Sequence, residues 1–321
     1  MSGRSGGTVV ESVVGGAYLA GWALVKRLPE RRAYAVFQRL ADRAYARDGA
    51  RVRMLRANLR RVVGPEVDEA ELERLTRAGM RSYLRYWCEV FRLPTWPAAK
   101  IRERVLIHDV EILWTALDEG RGVVLALPHA ANWDGAAAWV GVSGRLEQGT
   151  TFTTVAERVR PASLYDRFVE YRESLGLEVL PLTGGGNVVG TLARRLRDGG
   201  FVVLPADRDL TGSGVDVTFF GAAARMPAGP AMLAHLTGAA LLTVDLWYDA
   251  NGRTNVRLLP RIELSTATDR RQAVAETTQR VASAFEGGIA AHPGDWHMLQ
   301  PLWLEDLPER ADDDAAGRVP A

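Results

Sequence analysis

From residue 120 onward, short apolar runs alternate with stretches of helical periodicity. Apolar runs of about six residues predict buried strands at four places, 122–127, 151–156, 177–182 and 201–206. Helical patterns follow the second and third runs, at 161–176 and 187–200. This alternation predicts an α/β fold with a mainly parallel central sheet flanked by helices.

The pattern continues toward the carboxyl terminus. A helix is predicted to start at Pro227, because proline is favoured in the first turn. Two strands are predicted around a turn at 250–252, and a long helix at 268–292. The segment 214–231 is interpreted as a loop that leads into the helix N-terminus, where backbone amides, including that of Gly229, can face an anion.

Helical periodicity also covers residues 12–63, with a break near Leu28 and Pro29. The second of these helices places apolar residues at helical spacing among arginines: Tyr34, Val36, Phe37, Leu40 and Ala41, with Arg31, Arg32, Arg39 and Arg43. Such a surface packs on the protein body or lies in a membrane interface, and the pattern alone fits both. A further helix is predicted from Asp68 to the residue before Pro94.

No internal repeat or long linker divides the chain. Residues 1–65 are predicted to be amphipathic basic helices within the same domain as the α/β body at 66–305. The acidic tail at 306–321 is predicted to be disordered.

Composition narrows the function classes. The 321 residues are 47% hydrophobic, enough for a large core. Residues 1–64 carry thirteen basic and four acidic side chains although the net charge is only +1, so this segment can meet nucleic acid or an anionic membrane. Cys88 is the only cysteine, which excludes an internal disulfide and a cysteine-rich metal site and favours a reducing, cytoplasmic location. The longest apolar stretch, 12–25, is shorter than the roughly 20 residues of a membrane span and lacks a signal-peptide cleavage pattern.

His129 is the first candidate for chemistry, because it follows the strand at 122–127 and ligands bind at the carboxyl ends of parallel strands. Asn132 is a suitable helix N-cap, which places Asp134 in the first helical turn, within reach of the loop that holds His129. A histidine oriented by a carboxylate is a general base. The spacing by itself also fits a braced turn without a catalytic role.

Charged residues follow two further strands. Glu157, Arg158 and Arg160 come after the second, and Asp207, Arg208 and Asp209 after the fourth. Either group alone fits a salt-bridged loop, but together with His129 they predict a site on one rim of the sheet. A zinc site at His292 and His297 is not predicted, because no acidic cluster accompanies them.

Several segments, in this order, resemble the bacterial lysophospholipid and lipid A acyltransferases: RYWCEVFRLP (85–94), PHAANWDGA (128–136), AERVRPASLYDRFVEYRESLG (156–176), ADRDLTGSGVDVTFFG (206–221), ARMPAGPAMLA (224–234) and DWHMLQP (295–301). The similarity is greatest to the members that acylate phosphatidylinositol mannosides. It runs from about residue 10 to residue 305.

The resemblance implies transfer of a palmitoyl-like chain from acyl-CoA to the 6-hydroxyl of a mannose on a phosphatidylinositol mannoside. His129 would take the hydroxyl proton and Asp134 would orient it. A further carboxylate of the family aligns with Asp207, and which carboxylate contributes more to the basicity of His129 stays open. Phe219 and Phe220 fit either an acyl-chain pocket or the core.

Arginines are the candidates for phosphate binding, since a guanidinium can hold a phosphate through two hydrogen bonds. The candidates are Arg167 and Arg208, with Arg158 and Arg160 in reserve. Asp209 and Gly229 complete the predicted substrate-binding set.

The resemblance also implies partners and a location. The expected partners are acyl-CoA as co-substrate, a mannosylated phosphatidylinositol and an anionic membrane surface, without nucleic acid, metal or other cofactor. The expected location is peripheral, on the cytoplasmic face of the plasma membrane, with the basic amino-terminal helices docked on the lipid.

Three alternatives remain. The first is acylation of another membrane lipid, either a lysophospholipid or a lipid A-like acceptor. The second is the H-H-x-x-x-D-G chemistry of condensation enzymes and chloramphenicol acetyltransferases, which is disfavoured because Pro128 replaces the first histidine and the spacing is one residue longer. The third is a non-catalytic peripheral membrane protein.

Overall fold

The amino-terminal part of the protein is helical. The computed structural model describes residues 21–143, 152–156, 162–174, 176–181, 186–209 and 212–307. After a helical stretch at 21–27 come α1 (Glu30–Ala46), α2 (Ala50–Val63) and α3 (Glu69–Arg92). The break at Pro29 and the helix that begins after Asp68 are confirmed.

The remaining helices and strands form the α/β body. In chain order they are α4 (Ala98–Arg104), β1 (Val105–His108), α5 (Glu111–Asp118), β2 (Val123–Leu127), α6 (Trp133–Val142), β3 (Phe152–Ala156), α7 (Ala162–Ser174), β4 (Leu177–Pro181), α8 (Val188–Arg197), β5 (Phe201–Pro205), β6 (Val215–Phe219), β7 (Ala222–Met226), α9 (Gly229–Thr237), β8 (Ala240–Tyr248), β9 (Thr254–Leu258) and α10 (Arg270–Ala291). Short 3-10 turns lie at Leu93–Thr95, Pro293–Asp295 and Leu304–Asp306.

Seven of these strands form one sheet in the order β1-β9-β8-β2-β5-β3-β4. All neighbouring pairs are parallel except β8 and β9, which form the predicted antiparallel pair. The mainly parallel α/β fold and its four predicted strands are therefore confirmed. The edge strand β1 was not predicted, because its four residues directly continue a charged helix and are too few to show a strand pattern.

Residues of β2 alternate between the two faces of the sheet. Val124 and Ala126 belong to the core formed with α8, α9 and α10. Leu125 and Leu127 belong to the core formed with α5 and α6. Because β2 is buried on both faces, its sequence is continuously apolar.

The segment 214–231 is not a loop, as the sequence suggested. It forms the hairpin of β6 and β7, whose turn residues Phe220 and Gly221 both have positive φ, at 48° and 75°. Phe219 is fully buried and stacks on Trp303 at 5.9 Å, so it belongs to the core. The helix that follows begins at Gly229, two residues later than predicted.

The amino-terminal helices pack on the body through one face of α1. Ala33, Phe37 and Ala41 are buried, and α1 lies against α3. Val36 and Leu40 stay 42% and 45% exposed. The predicted apolar surface of α1 thus has a buried part and an exposed part, and docking of the exposed part on a membrane stays a prediction.

The remaining predictions concern a membrane-spanning helix and the two ends of the chain. In the described part of the protein, no helix combines the length and apolar character needed to cross a bilayer. Asp306, the first residue of the predicted tail, lies in a 3-10 turn and accepts a hydrogen bond of 2.6 Å from Arg61. Residues 1–20 and 308–321 lie outside the described residues.

Candidate active site

The register of two neighbouring parallel strands brings His129 and Asp207 together. Leu127 at the end of β2 pairs with Pro205 at the end of β5. His129 and Asp207 each lie two residues beyond this pair, so both side chains emerge at the same point of the sheet edge. Nδ1 of His129 lies 2.5 Å from Oδ1 of Asp207, and the backbone N–H of His129 donates to Oδ2 at 2.8 Å.

Asp207 is a fully buried carboxylate that accepts a third hydrogen bond, from Nε1 of Trp296 at 2.8 Å. Burial by itself would raise the pKa of this carboxyl, but the charge of His129 and the three hydrogen bonds lower the pKa below its ordinary value. An ionised carboxylate beside Nδ1 favours the imidazole tautomer that carries its proton on Nδ1 and leaves Nε2 unprotonated.

Asp134 does not orient His129, contrary to the prediction. It lies in the first turn of α6 behind the N-cap Asn132, as expected. However, its carboxylate accepts hydrogen bonds from Tyr86 at 2.8 Å and from Nε of Arg172 at 2.8 Å. The largely buried guanidinium of Arg172 supplies the positive charge that this buried carboxylate needs.

A cavity of about 410 Å³ opens beside His129. Its polar or charged lining residues, besides the histidine, are Tyr86, Tyr165, Arg172, Arg208 and Asp209. The other lining residues are mostly apolar and include Val155, Val188, Val189, Leu192, Leu204, Met232 and Leu233. A mainly apolar cavity that also contains a histidine and charged groups suits a ligand with a reactive head and a hydrocarbon chain.

Three of the predicted substrate-binding residues line this cavity: Arg208, Asp209 and Gly229. Asp209 also accepts a hydrogen bond of 2.7 Å from the backbone of Gly214, which fixes the approach to β6. Gly229 is the first residue of α9, so the predicted helix N-terminus does face the cavity.

Arg167 is not among the lining residues of this cavity. It is 60% exposed, pairs with Glu170 and lines a separate groove of about 290 Å³ beside Trp22 and Lys26. Arg172, five positions further along α7, lines the cavity instead. Arg158 and Arg160 lie outside the described residues.

Comparisons with known proteins identify the family of this chain. A family model described as bacterial lipid A biosynthesis acyltransferase matches residues 10–305. The chain belongs to this acyltransferase family.

Among individual relatives, a phosphatidylinositol mannoside acyltransferase from Mycolicibacterium smegmatis is 49% identical over 292 residues, which cover 90% of this chain and 91% of the relative. A protein of the same name from Mycobacterium tuberculosis is 46% identical over 305 residues, which cover 94% of this chain and 92% of the relative. The resemblance stated from the motifs is confirmed.

In this acyltransferase, the segment 293–298 builds the rear of the site, which the sequence did not predict. His297 donates its backbone N–H to the carbonyl of His129 at 2.7 Å, and the carbonyl of Asp295 accepts from Ala131 at 2.9 Å. Together with Trp296, these contacts hold the histidine loop from behind. The motif DWHMLQP carried the resemblance, but no periodicity or spacing assigned it to this loop.

Glu89 was also missed by the sequence analysis. This buried carboxylate on α3 accepts hydrogen bonds from Asn132 at 2.9 Å, from Tyr34 at 2.9 Å and from Tyr248 at 3.1 Å. It thereby ties the start of α6 to α1, α3 and β8. No local signal marks it, because a glutamate in a helix is ordinarily exposed.

Within the described ranges, no three histidine, cysteine, aspartate or glutamate side chains come together as a metal site. His292 stacks on Trp247, with ring centroids 4.8 Å apart. His297 is buried, and its Nε2 lies 2.9 Å from Oγ of Ser82.

Proposed function

We propose that this acyltransferase moves a long, palmitoyl-like acyl chain from acyl-CoA to the 6-hydroxyl of a mannose on phosphatidylinositol mannosides. The observation that carries the proposal is the His129–Asp207 pair, whose histidine lines a largely apolar cavity. The names of the two mycobacterial relatives support the acceptor class.

His129 acts as the general base in this proposal. Nε2 takes the proton of the mannose hydroxyl as its oxygen attacks the thioester carbonyl, and the π electrons move to the carbonyl oxygen. When this oxyanion collapses, the C–S bond breaks and the sulfur leaves with the proton held by His129. Asp207 stabilises the imidazolium between the two transfers, which requires no metal or other cofactor.

The cavity accommodates the two substrates at different walls. The acyl chain lies along the valine, leucine and methionine side chains contributed by β3, α8 and α9. Arg208 and the first amide of α9, at Gly229, contact the polar parts of the substrates. The phosphate-binding role first expected of Arg167 is not retained, because Arg167 lines another groove.

Lipid acceptors remain in the bilayer, so the enzyme works at a membrane surface. We place it peripherally on the cytoplasmic face of the plasma membrane, where acyl-CoA is available. The outer flank of α1 combines the exposed Val36 and Leu40 with the exposed Arg32, Arg39 and Arg43, which suits an anionic interface.

The test is acyl transfer by the purified protein with palmitoyl-CoA and a panel of acceptors. The panel contains phosphatidylinositol mannosides, a lysophospholipid and a lipid A precursor. We expect turnover with the mannosides and a loss of about 10²- to 10⁴-fold in His129→Ala, with the circular dichroism spectrum retained. Near-normal turnover by folded His129→Ala would exclude the base, and preference for another acceptor would reassign the lipid.

A further inference from the structure

Asp134, five residues after His129, forms an ion pair with Arg172, a residue that the mechanism above does not use. Asp134 is 1% exposed and holds Arg172 in a two-point ion pair, with Nε at 2.8 Å from Oδ1 and Nη2 at 3.3 Å from Oδ2. Tyr86 donates a further hydrogen bond to the same carboxylate. The carboxylate thus binds one guanidinium and one phenol hydroxyl.

This guanidinium is fixed in the wall of the reaction cavity. It lies over the ring of Trp133, with Cζ 4.6 Å from the ring centroid, and its side chain is only 12% exposed. Arg172, Trp133 and His129 all line the same cavity. Within the part of the chain that the structure describes, Nη1 of Arg172 has no hydrogen-bond partner. No described residue of the protein therefore occupies the two N–H groups of Nη1.

The net charge of the Asp134–Arg172 pair indicates which kind of substrate oxygen Nη1 would bind. The carboxylate of Asp134 balances the charge of Arg172, and it lies in the first turn of α6, where the helix dipole favours negative charge. A phosphate monoester, which carries up to two negative charges, would find little net positive charge here. A carbonyl oxygen that gains charge only during the reaction is better matched to a rigid, desolvated donor.

We propose that Arg172 donates through Nη1 to the thioester carbonyl oxygen and stabilises the oxyanion, while Asp134 is a positioning residue that acts through Arg172. The inference rests on the proposed function, since it requires a thioester donor. In this arrangement the hydroxyl proton goes to His129, the new C–O bond forms and the carbonyl electrons move to the oxygen that faces Arg172. Collapse of the intermediate restores the carbonyl and releases the thiol.

The variants are chosen to separate the donor from the ion pair. Arg172→Lys keeps a positive charge beside Asp134. Because lysine has a single side-chain nitrogen, this variant has no counterpart of Nη1. The double variant Asp134→Asn with Arg172→Gln replaces the ion pair by two neutral amides, so no buried charge is left alone. Arg195→Gln is the matched control, because Arg195 makes an equally two-pronged pair with Glu178, at 2.6 and 2.9 Å, and does not line the cavity.

Four quantities are measured on the full-length protein. They are kcat and KM with palmitoyl-CoA and a phosphatidylinositol mannoside, the pH dependence of kcat, and the Kd of hexadecyl-CoA thioether. The thioether carries every phosphate of the donor and the same chain length, but it lacks the thioester carbonyl oxygen. Circular dichroism and thermal unfolding check that each variant is folded.

We expect Arg172→Lys and the double variant to lose kcat by about 10²- to 10³-fold, the usual effect of removing one oxyanion donor. The Kd of the thioether should stay within about twofold, and the midpoint of the pH profile should not move. As a single substitution, Asp134→Asn should lower kcat. When Arg172 is already replaced, adding Asp134→Asn should lower kcat little further. Arg195→Gln should keep wild-type kinetics.

Other results would overturn the inference. If the Arg172 variants turn over like Arg195→Gln, the guanidinium has no catalytic role. If the Kd of the thioether rises in the Arg172 variants by as much as their activity falls, Arg172 binds a phosphate of the donor instead. If the pH profile of kcat shifts in Asp134→Asn, Asp134 acts on His129 and not through Arg172. Absence of any turnover by the wild type would overturn the proposed function as well, whereas turnover by wild type and variants alike overturns this inference alone.

Discussion

At the scale of single residues, the feature of the site that most affects His129 is the buried carboxylate of Asp207. It is completely buried, and the three hydrogen bonds from His129 and Trp296 take the place of water around its charge. Without these donors, burial would favour the protonated carboxyl, which cannot stabilise an imidazolium. The ionised state of this carboxylate therefore depends in part on an indole that lies 89 residues away in the sequence.

The first prediction replaces Asp207 by asparagine. An amide at this position removes the negative charge and favours the wrong imidazole tautomer, so kcat should fall by about 10³- to 10⁴-fold. In steady-state assays, His129→Ala combined with Asp207→Asn should be little worse than His129→Ala alone, because the two residues act as one unit. A loss of less than tenfold in Asp207→Asn would show that the pair is structural.

The second prediction concerns the stability of the protein in acid. Burial lowers the pKa of His297 to about 3, well below the value near 6.5 of an unfolded histidine. The unfolded chain therefore binds the extra proton between about pH 6.5 and pH 3. Because of His297, the free energy of unfolding is highest above this pH window and decreases as the pH falls through it.

His297→Gln keeps a side chain that can form a hydrogen bond with Ser82 but removes this titration. Between pH 7 and pH 4, the free energy of unfolding of the wild type should fall by about 3 kcal/mol more than that of the variant. Urea unfolding at several pH values measures both. Because Asp295 and the other neighbouring groups are present in both proteins, parallel pH curves would contradict the neutral, buried state of His297.

At the scale of secondary-structure elements, the start of α6 is the part that the rest of the molecule fixes most firmly. Asn132 caps the helix through a hydrogen bond of 2.8 Å from the backbone of Gly135, and its amide donates to Glu89. Glu89 in turn binds Tyr34 on α1 and Tyr248 on β8. The loop that carries His129 therefore ends in a helix whose N-terminus is attached to three other elements.

The third prediction compares two helix caps. Asn132→Ala removes a cap and leaves Glu89 short of one donor, so it should cost about 1–2 kcal/mol of stability and lower kcat at the same time. Asp269→Ala is the control, since Asp269 caps α10 through a hydrogen bond of 2.7 Å from Gln272 and is exposed there. It should cost about 1 kcal/mol with kcat unchanged. Equal effects of both variants on kcat would show that the cap of α6 has no special connection with the site.

At the scale of the whole molecule, the amino-terminal helices are part of the folded body and not an appendage. Asn58 on α2 donates to the carbonyls of Met298 and Gln300, so these helices pack on the segment that supports the site. The outer flank of α1 stays exposed, and its apolar residues lie among arginines. Docking through this flank would fix the orientation of the whole body on a bilayer.

The fourth prediction tests that flank. Replacing Val36 and Leu40 together by aspartate should weaken co-sedimentation with anionic vesicles by about tenfold or more, with little change in the unfolding midpoint. Leu236→Asp is the control, because Leu236 is also exposed, at 37%, but lies on α9. Raising the salt concentration should reduce binding of the wild type, and equal binding to neutral and anionic vesicles would argue against the arginine face.

The sequence alone determined the local elements of this protein. A continuous apolar run is what a strand buried on both faces requires, and proline, glycine and asparagine mark where helices begin and end, so β2 to β5, α6 and α10 could be predicted. The position of His129 at a strand end and of Asp134 in a first helical turn are likewise local properties. The motifs added the family, which no pattern of apolar residues could have supplied.

Only the tertiary structure decided which of these residues meet. Strand order and register depend on how whole faces pack, and the register of β2 with β5 selects Asp207 over Asp134 as the partner of His129. The same packing places Asp134 against Arg172 and Trp296 against Asp207. It also buries Phe37 and leaves Val36 exposed. These contacts join residues that are far apart in the sequence, and no local pattern encodes them because their energy comes from surfaces that touch only in the folded chain.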